Sequence, residues 1–138
     1  MLAVKPVHDE SLCAELCALC NVLHKDGSFM YFAADVDASS IHINHIIGIC
    51  LFRMKDGKNE IEVLKAAPGI SDDDALIIMA RTVMNFMYRC EAERVVLLRG
   101  GVSENLIDKL GFSEDSDGVL SIDLKKFYIS PCKYTEKQ

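Results

Sequence analysis

Apolar residues follow two different spacings along this chain. In several short stretches they alternate with polar residues or form an unbroken run, which is typical of β-strands. In other stretches they recur every three or four positions, which is typical of a helix with one apolar face. The strand pattern covers residues 2–7, 29–36, 45–54, 60–66, 94–98 and 119–124, and Phe112 opens a further strand. The strands at 29–36 and 45–54 are predicted to be antiparallel neighbours.

The first helical stretch follows the first strand. Either Asp9 or Ser11 can cap it. Its apolar face consists of Leu12, Leu16, Leu19 and Leu23. This spacing predicts a helix that ends at about residue 23.

The second helical stretch is longer. Ser71 can cap its first turn, and Asp74, three residues later, completes a capping box. Its apolar face consists of Leu76, Met79, Ala80, Val83, Met87 and Cys90. So broad an apolar face predicts packing against a sheet. A short third helix is predicted over Glu104–Leu110, with Ser103 as its cap.

Two apolar strands flank the long helix, one over residues 60–66 and the other over residues 94–98. Mostly apolar strands joined through a helix are typical of parallel neighbours connected by a crossover. We therefore expect these two strands to pair in parallel.

Alternation within residues 60–66 predicts which side chains share a face of the sheet. Ile61 and Val63 are predicted to face one side. Glu60, Glu62 and Leu64 are then predicted to face the other.

Length and charge narrow the functional classes. A chain of 138 residues is expected to form one domain over residues 1–128, followed by a polar C-terminal tail over residues 129–138. The formal net charge of -6 gives no general attraction for nucleic acid or for anionic lipid, so neither is expected as a partner. No apolar run is long enough for a signal peptide or a bilayer span, and we expect a cytoplasmic protein.

No metal site is predicted, although two sets of side chains have spacings that resemble metal-binding motifs. Cys13, Cys17 and Cys20 have the spacing of the radical-SAM cluster motif, but the same spacing lies along the first predicted helix, and we interpret them as part of its packed face. His42 and His45 would point to opposite faces of a strand, with no third ligand at a suitable spacing.

The order of these elements, together with four short motifs, resembles the GNAT superfamily of acyl-CoA-dependent N-acyltransferases. The motifs are Val4-Lys5-Pro6-Val7-His8-Asp9, Ile46-Ile47-Gly48, Leu64-Lys65-Ala66-Ala67-Pro68 and Lys109-Leu110-Gly111-Phe112. The resemblance covers almost the whole chain. It implies an α/β fold with a mixed, mostly antiparallel sheet and helices on both faces.

The resemblance also implies where acetyl-CoA would lie. In the family, the pantetheine arm lies between two splayed strands and pairs with main-chain groups of the earlier strand. By position, those groups belong to Leu64, Lys65 and Ala66.

The family holds the pyrophosphate on a loop of the form Arg/Gln-x-x-Gly-x-Gly/Ala at the start of the long helix. Counted from the proline of the preceding motif, these positions hold Ser71, Asp74 and Leu76, with Asp72 and Asp73 between them. The loop signature is absent. Carboxylates here would repel a phosphate and occupy the capping amides. We interpret them as helix-capping residues, in preference to ligands of a divalent cation that bridges to a phosphate.

The general acid that many family members use is also missing from its expected position. Many members have a tyrosine five residues before the final phenylalanine, and here that position holds Ile107. The position of the family's asparagine holds Gly100. Cys50 or Tyr88 could replace the acid, although no spacing supports either.

Some members use a carboxylate on the strand that holds pantetheine as the general base. Glu60 and Glu62 are therefore the candidate catalytic residues. Each could equally be a solvated strand residue.

Two hypotheses follow. In the first, the chain is a diverged GNAT-like domain in which acetyl-CoA binding is lost or weakened, and which binds a small molecule or a protein partner. In the second, it is an active acyl-CoA-dependent N-acyltransferase with an atypical cofactor loop. Because GNAT-like domains often dimerise, the resemblance also makes a homodimer a candidate assembly.

Overall fold

The structure, a computed structural model, describes residues 1–36 and 45–129, without the side chain of Ile129. In chain order the elements are β1 (Leu2–Val7), α1 (Glu10–Leu19), β2 (Phe29–Asp35), β3 (Ile46–Lys55), β4 (Lys58–Ala66), α2 (Asp73–Arg89), β5 (Arg94–Leu97), α3 (Glu104–Leu110), β6 (Ser113–Glu114), β7 (Leu120–Asp123) and α4 (Leu124–Ile129). His42 and residues 130–138 of the predicted tail lie outside the described residues. In the part of the chain that is described, no helix is both long and apolar enough to cross a membrane.

The described strands form one sheet in the order β1-β2-β3-β4-β5-β7-β6. Neighbours β2 and β3 are antiparallel, as predicted, and so is every other pair except one. The exception is β4 with β5, which run parallel on either side of α2. The predicted mixed, mostly antiparallel sheet is confirmed.

Helices cover both faces of the sheet and divide the core into two clusters. On one face, Leu16 of α1 packs in a cluster with Ile49 of β3. On the other, α2, α3 and α4 share a larger cluster with the sheet, in which Met79 and Leu124 pack in the same core as Phe52. The apolar face predicted for the long helix is this buried surface from Leu76 to Met87. Cys90, also predicted on that face, is instead the exposed C-cap of α2, because the helix ends at Arg89.

Gly48 of β3 allows α2 to lie close to the sheet. A Cβ atom at this position would be 2.6 Å from the carbonyl oxygen of Lys65 and 2.8 Å from Cδ2 of Leu76. Both distances are below any ordinary contact, so only glycine fits between β4 and the first turn of α2.

Helix α1 ends earlier than the leucine spacing predicts. Its last residue is Leu19, Cys20 is the C-cap, and Asn21 has a positive φ of 57°. Leu23, predicted on the apolar face, is 90% exposed. The prediction was wrong because a left-handed residue stops the helix before the leucine pattern ends.

Helix α2 begins one residue later than a Ser71 cap would require. Asp72 is the N-cap, and its side chain accepts a hydrogen bond from the amide of Ala75 at 3.0 Å. The predicted capping box of Ser71 and Asp74 is therefore wrong. Aspartate caps at least as well as serine, and placing Asp73 in the first turn puts its negative charge at the positive end of the helix dipole.

The C-terminal elements also differ from the pattern. Phe112, predicted to open a strand, lies just before β6, and its side chain is buried. Strand β6 is limited to Ser113–Glu114. Leu124 begins helix α4 instead of ending a strand. The side chain of Asp123 accepts from the amide of Lys126 at 3.0 Å, which satisfies a donor of the first turn.

Candidate ligand site beside strand β4

Strands β4 and β5 are paired over a short length only. Glu60 lies opposite Val96 and Ile61 opposite Leu97, where β5 ends. The last link is the amide of Leu98, which donates to the carbonyl of Ile61 at 3.0 Å. Residues 62–66 continue β4 without a partner on β5 among the described residues.

A β-bulge interrupts β4 at Glu62. On β3, the adjacent residues Leu51 and Phe52 lie opposite Val63 and Ile61, respectively. Glu62 is therefore an extra residue in β4, and such a residue is aimed differently from those of a regular strand.

The bulge changes which β4 side chains share a face. Ile61 and Leu64 both pack in the core under α2, whereas Val63 packs against the cluster under α1. The predicted alternation, which paired Ile61 with Val63, is wrong because one extra residue shifts the period of two.

Glu62 is held by groups from two other segments. The hydroxyl of Ser28 donates to its Oε1 at 2.5 Å, and Nε of Arg53 lies 3.8 Å from the same oxygen. The guanidinium of Arg53 also donates to the carbonyl of Asp26 at 2.9 Å. Because the side chain of Glu62 is only 13% exposed, its carboxylate is oriented and partly desolvated.

A cavity of about 400 Å³ opens beside this carboxylate. Its lining residues are Lys25, Arg53, Lys55, Asp56, Lys58, Glu60, Glu62 and Leu98. A smaller cavity of about 100 Å³ shares Lys25, Glu62 and Leu98 with it. The two predicted catalytic candidates, Glu60 and Glu62, thus border one cavity.

Sequence reasoning missed Lys25, Ser28 and Arg53, which line this cavity or contact Glu62. Lys25 and Ser28 come from the segment before β2, and no pattern in that segment points to β4. Arg53 did carry a signal, because it is the one charged residue in the apolar run at residues 45–54. A charge within a buried strand needs a partner, and here the partner is Glu62.

The three residues predicted to contact a cofactor through their main chain all lie at the end of β4. Leu64 is buried in the core, Lys65 is exposed and Ala66 is half-buried. On their other side they pair with β3. They lie beyond the point where β5 leaves β4.

The start of α2 is acidic. A cavity of about 670 Å³ there is lined by Asp35, Asp72 and Asp74 together with apolar side chains such as Ile70 and Ile78. Within residues 1–36 and 45–129, no ion pair neutralises Asp72 or Asp74.

Ile107 holds the position of the missing acid, and Cys50 and Tyr88 are its candidate replacements. Ile107 is 2% exposed and packs in the core. Cys50 is fully buried, and burial raises the pKa of its thiol. The ring of Tyr88 stacks on that of Tyr128 at 4.6 Å.

The three cysteines at the start of the chain lie on a packed helix, as predicted. Cys17 and Cys20 are buried in the cluster under α1, and Cys13 packs against it. Burial raises the pKa of all three thiols, that of Cys17 to about 11. Among the residues that the structure describes, no three His, Cys, Asp or Glu side chains are grouped to hold a metal ion.

Known proteins resemble this chain in structure. A putative acetyltransferase of the GNAT family from Desulfovibrio desulfuricans superimposes with a TM-score of 0.67 at 9% identity, over 90% of this chain and 99% of its own. The ribosomal-protein-S18-alanine N-acetyltransferase of Escherichia coli superimposes with a TM-score of 0.63 at 8% identity, over 90% of this chain and 94% of its own. The dodecameric spermidine N-acetyltransferase of Vibrio cholerae superimposes with a TM-score of 0.65 at 11% identity, over 94% of this chain and 97% of its own.

No protein-family model matches the sequence, and no curated protein matches it. The structural likeness, at these low identities, establishes the fold. The chain has the α/β fold of the GNAT acetyltransferases.

Proposed function

We propose that this chain is a diverged GNAT-like domain in which acetyl-CoA binding is weakened or lost, and that it acts as a binding module for a small ligand beside β4. The observation that carries the proposal is the run Asp72, Asp73 and Asp74 at the start of α2. By resemblance, this is the place where the family binds the pyrophosphate.

The capping hydrogen bond supports the proposal. The carboxylate of Asp72 accepts the hydrogen bond of the Ala75 amide. That amide is therefore not available to donate to a bound anion. A carboxylate at about 4 Å from a phosphate charge costs about 1 kcal/mol in water and several times that near a low-dielectric surface. Three such charges in one turn oppose the binding of a pyrophosphate.

The site beside Glu62 supports the second half of the proposal. Its carboxylate is fixed by Ser28 and Arg53 and borders a cavity of about 400 Å³, which is within the size range of small-molecule sites.

Calorimetric titration with acetyl-CoA tests the proposal. We expect no saturable binding at micromolar cofactor. Stoichiometric micromolar binding would overturn the weakened-cofactor claim.

A matched variant isolates the physical cause. Replacing Asp72, Asp73 and Asp74 with Gly, Lys and Gly removes the negative charge and should strengthen acetyl-CoA binding. Glycine is an acceptable N-cap at position 72, whereas Asp73→Lys and Asp74→Gly place a cation and a glycine in the first turn of α2, so we expect the variant to lose about 1–2 kcal/mol of stability. The control replaces Asp108, an exposed acid in α3, with Asn and should leave cofactor binding unchanged.

A second candidate function is an active N-acyltransferase with an atypical cofactor loop. The feature that favours it is the end of β4, where residues 62–66 have no β5 partner in the described chain, next to the oriented carboxylate of Glu62. An amine-dependent release of CoA from acetyl-CoA, abolished by Glu62→Gln, would establish this candidate instead.

A further inference from the structure

The cavity beside Glu62 joins charges of both signs. Glu60 and Glu62 lie on β4, and Lys55 and Lys58 lie at the hairpin between β3 and β4. Lys25 reaches the same cavity from the segment before β2. With Arg53 and Asp56, the cavity is lined by four basic and three acidic side chains, which is a local exception in a chain of net charge -6.

The lysines of this cavity are not neutralised by the protein. Among residues 1–36 and 45–129, no ion pair involves Lys25, Lys55 or Lys58. Arg53 differs from them, because it is already engaged by Glu62 and by the carbonyl of Asp26. The same cavity is therefore lined by unpaired ammonium groups and by an oriented carboxylate.

We propose that this cavity binds a small amine that also carries an anionic group, a carboxylate or a phosphate. The ammonium group of the ligand lies against Glu62, and its anionic group lies among Lys25, Lys55 and Lys58. The inference rests on the proposed small-ligand function and names the chemical class of the ligand.

Glu62 and the lysines are expected to contribute unequally to the binding energy of the ligand. Glu62 is only 13% exposed, so a charge-assisted hydrogen bond to it is formed in a partly desolvated place. The lysines are long and exposed, so each contributes less. Specificity for a ligand with both charges comes from satisfying both groups at once, because either charge alone leaves the other half of the site unpaired.

Two matched pairs of probes test the proposal by NMR titration of the full-length protein. β-Alanine is compared with propylamine, and phosphoethanolamine with ethanolamine, so that each pair differs in the anionic group. Propionate tests the anion alone. We expect a zwitterion to shift amide signals of β4 at lower concentrations than its partner amine, and propionate to bind more weakly than β-alanine.

The preferred anion is read from the same experiment. Tighter binding of phosphoethanolamine assigns a phosphate, and tighter binding of β-alanine assigns a carboxylate. Equal binding of the zwitterions and their partner amines would overturn the proposal, as would propionate binding as tightly as β-alanine. Absence of binding by every probe at millimolar concentration would also overturn it.

Variants locate the two halves. The double variant Lys25→Gln and Lys58→Gln should weaken zwitterion binding about tenfold, which corresponds to about 0.7 kcal/mol per lysine, and should not weaken amine binding. Glu62→Gln should weaken both. Lys125→Gln, on α4 and outside this cavity, is the matched control and should change neither. An unchanged preference for the zwitterion in the double variant would contradict the proposal.

The outcome is separable from that of the proposed function, since acetyl-CoA is absent from these titrations. Tight acetyl-CoA binding overturns the weakened-cofactor claim whatever the probes do. Failure of the probes, with acetyl-CoA also not bound, overturns only the assignment of the ligand.

Discussion

The hydroxyl of Ser28 donates a 2.5 Å hydrogen bond to the carboxylate of Glu62, and this bond ties the segment before β2 to the bulge of β4. The two residues are 34 positions apart in the chain. Arg53 lies within reach of both, 3.3 Å from the Ser28 hydroxyl and 3.8 Å from Oε1 of Glu62. The candidate site is thus built from three segments that the sheet brings together.

Removing this hydroxyl should destabilise the protein. Ser28→Ala is expected to lower the free energy of unfolding by about 1 kcal/mol, because a half-buried carboxylate loses a hydrogen-bond donor. The measurement is a urea unfolding curve. The control is Ser11→Ala, an exposed residue whose change should remain within about 0.5 kcal/mol. Equal effects of the two changes would mean that the Ser28–Glu62 bond contributes nothing.

The cap of α2 provides a second prediction. Asp72→Ala should lower the free energy of unfolding by about 1 kcal/mol because the amide of Ala75 loses its acceptor. Ser71→Ala should stay within about 0.5 kcal/mol, as expected for an exposed residue outside the helix. Thermal and urea unfolding of both variants measure this. A larger loss for Ser71 would restore the capping box that the sequence predicts.

A methyl group at residue 48 should disturb the packing of α2 on the sheet. Gly48→Ala is expected to cost about 1–3 kcal/mol, since its Cβ would meet the Lys65 carbonyl oxygen at 2.6 Å and Leu76 at 2.8 Å. Unfolding curves of a double-mutant cycle with Leu76→Ala separate the two contacts. The second change should recover only part of the loss, because the main-chain contact remains. Full recovery would show that the side chain alone resists the methyl group.

Thiol reactivity should report the burial of the cysteines. Cys90 is exposed, while burial raises the pKa of Cys17 to about 11 and also raises that of the fully buried Cys50. In a Cys132→Ser background, we expect Cys90 to react first with an alkylating agent at about pH 8, because the thiolate is the reactive form. Cys17 and Cys50 should react only on unfolding. Mass spectrometry of digested samples identifies the order, and early labelling of Cys50 would contradict its placement in the core.

The sequence alone determined the order of strands and helices from β1 to β7, without helix α4, and most of the buried face of the long helix. Apolar spacing depends on local chain geometry, so the run from Leu76 to Met87 identified the buried face of α2 before any tertiary contact was known. The same reasoning predicted the antiparallel pairing of β2 with β3 and the parallel pairing of β4 with β5.

Only the tertiary structure decided the site. The bulge at Glu62 depends on the pairing register of β4 with β3. The sequence of β4 alone carries no signal for the extra residue. Ser28, Arg53 and Glu62 come together because three strands pair, and no spacing in the sequence encodes that distance. Local pattern thus predicted the type of most segments, while the register between strands decided which polar groups meet, because register is a property of two paired strands and not of one.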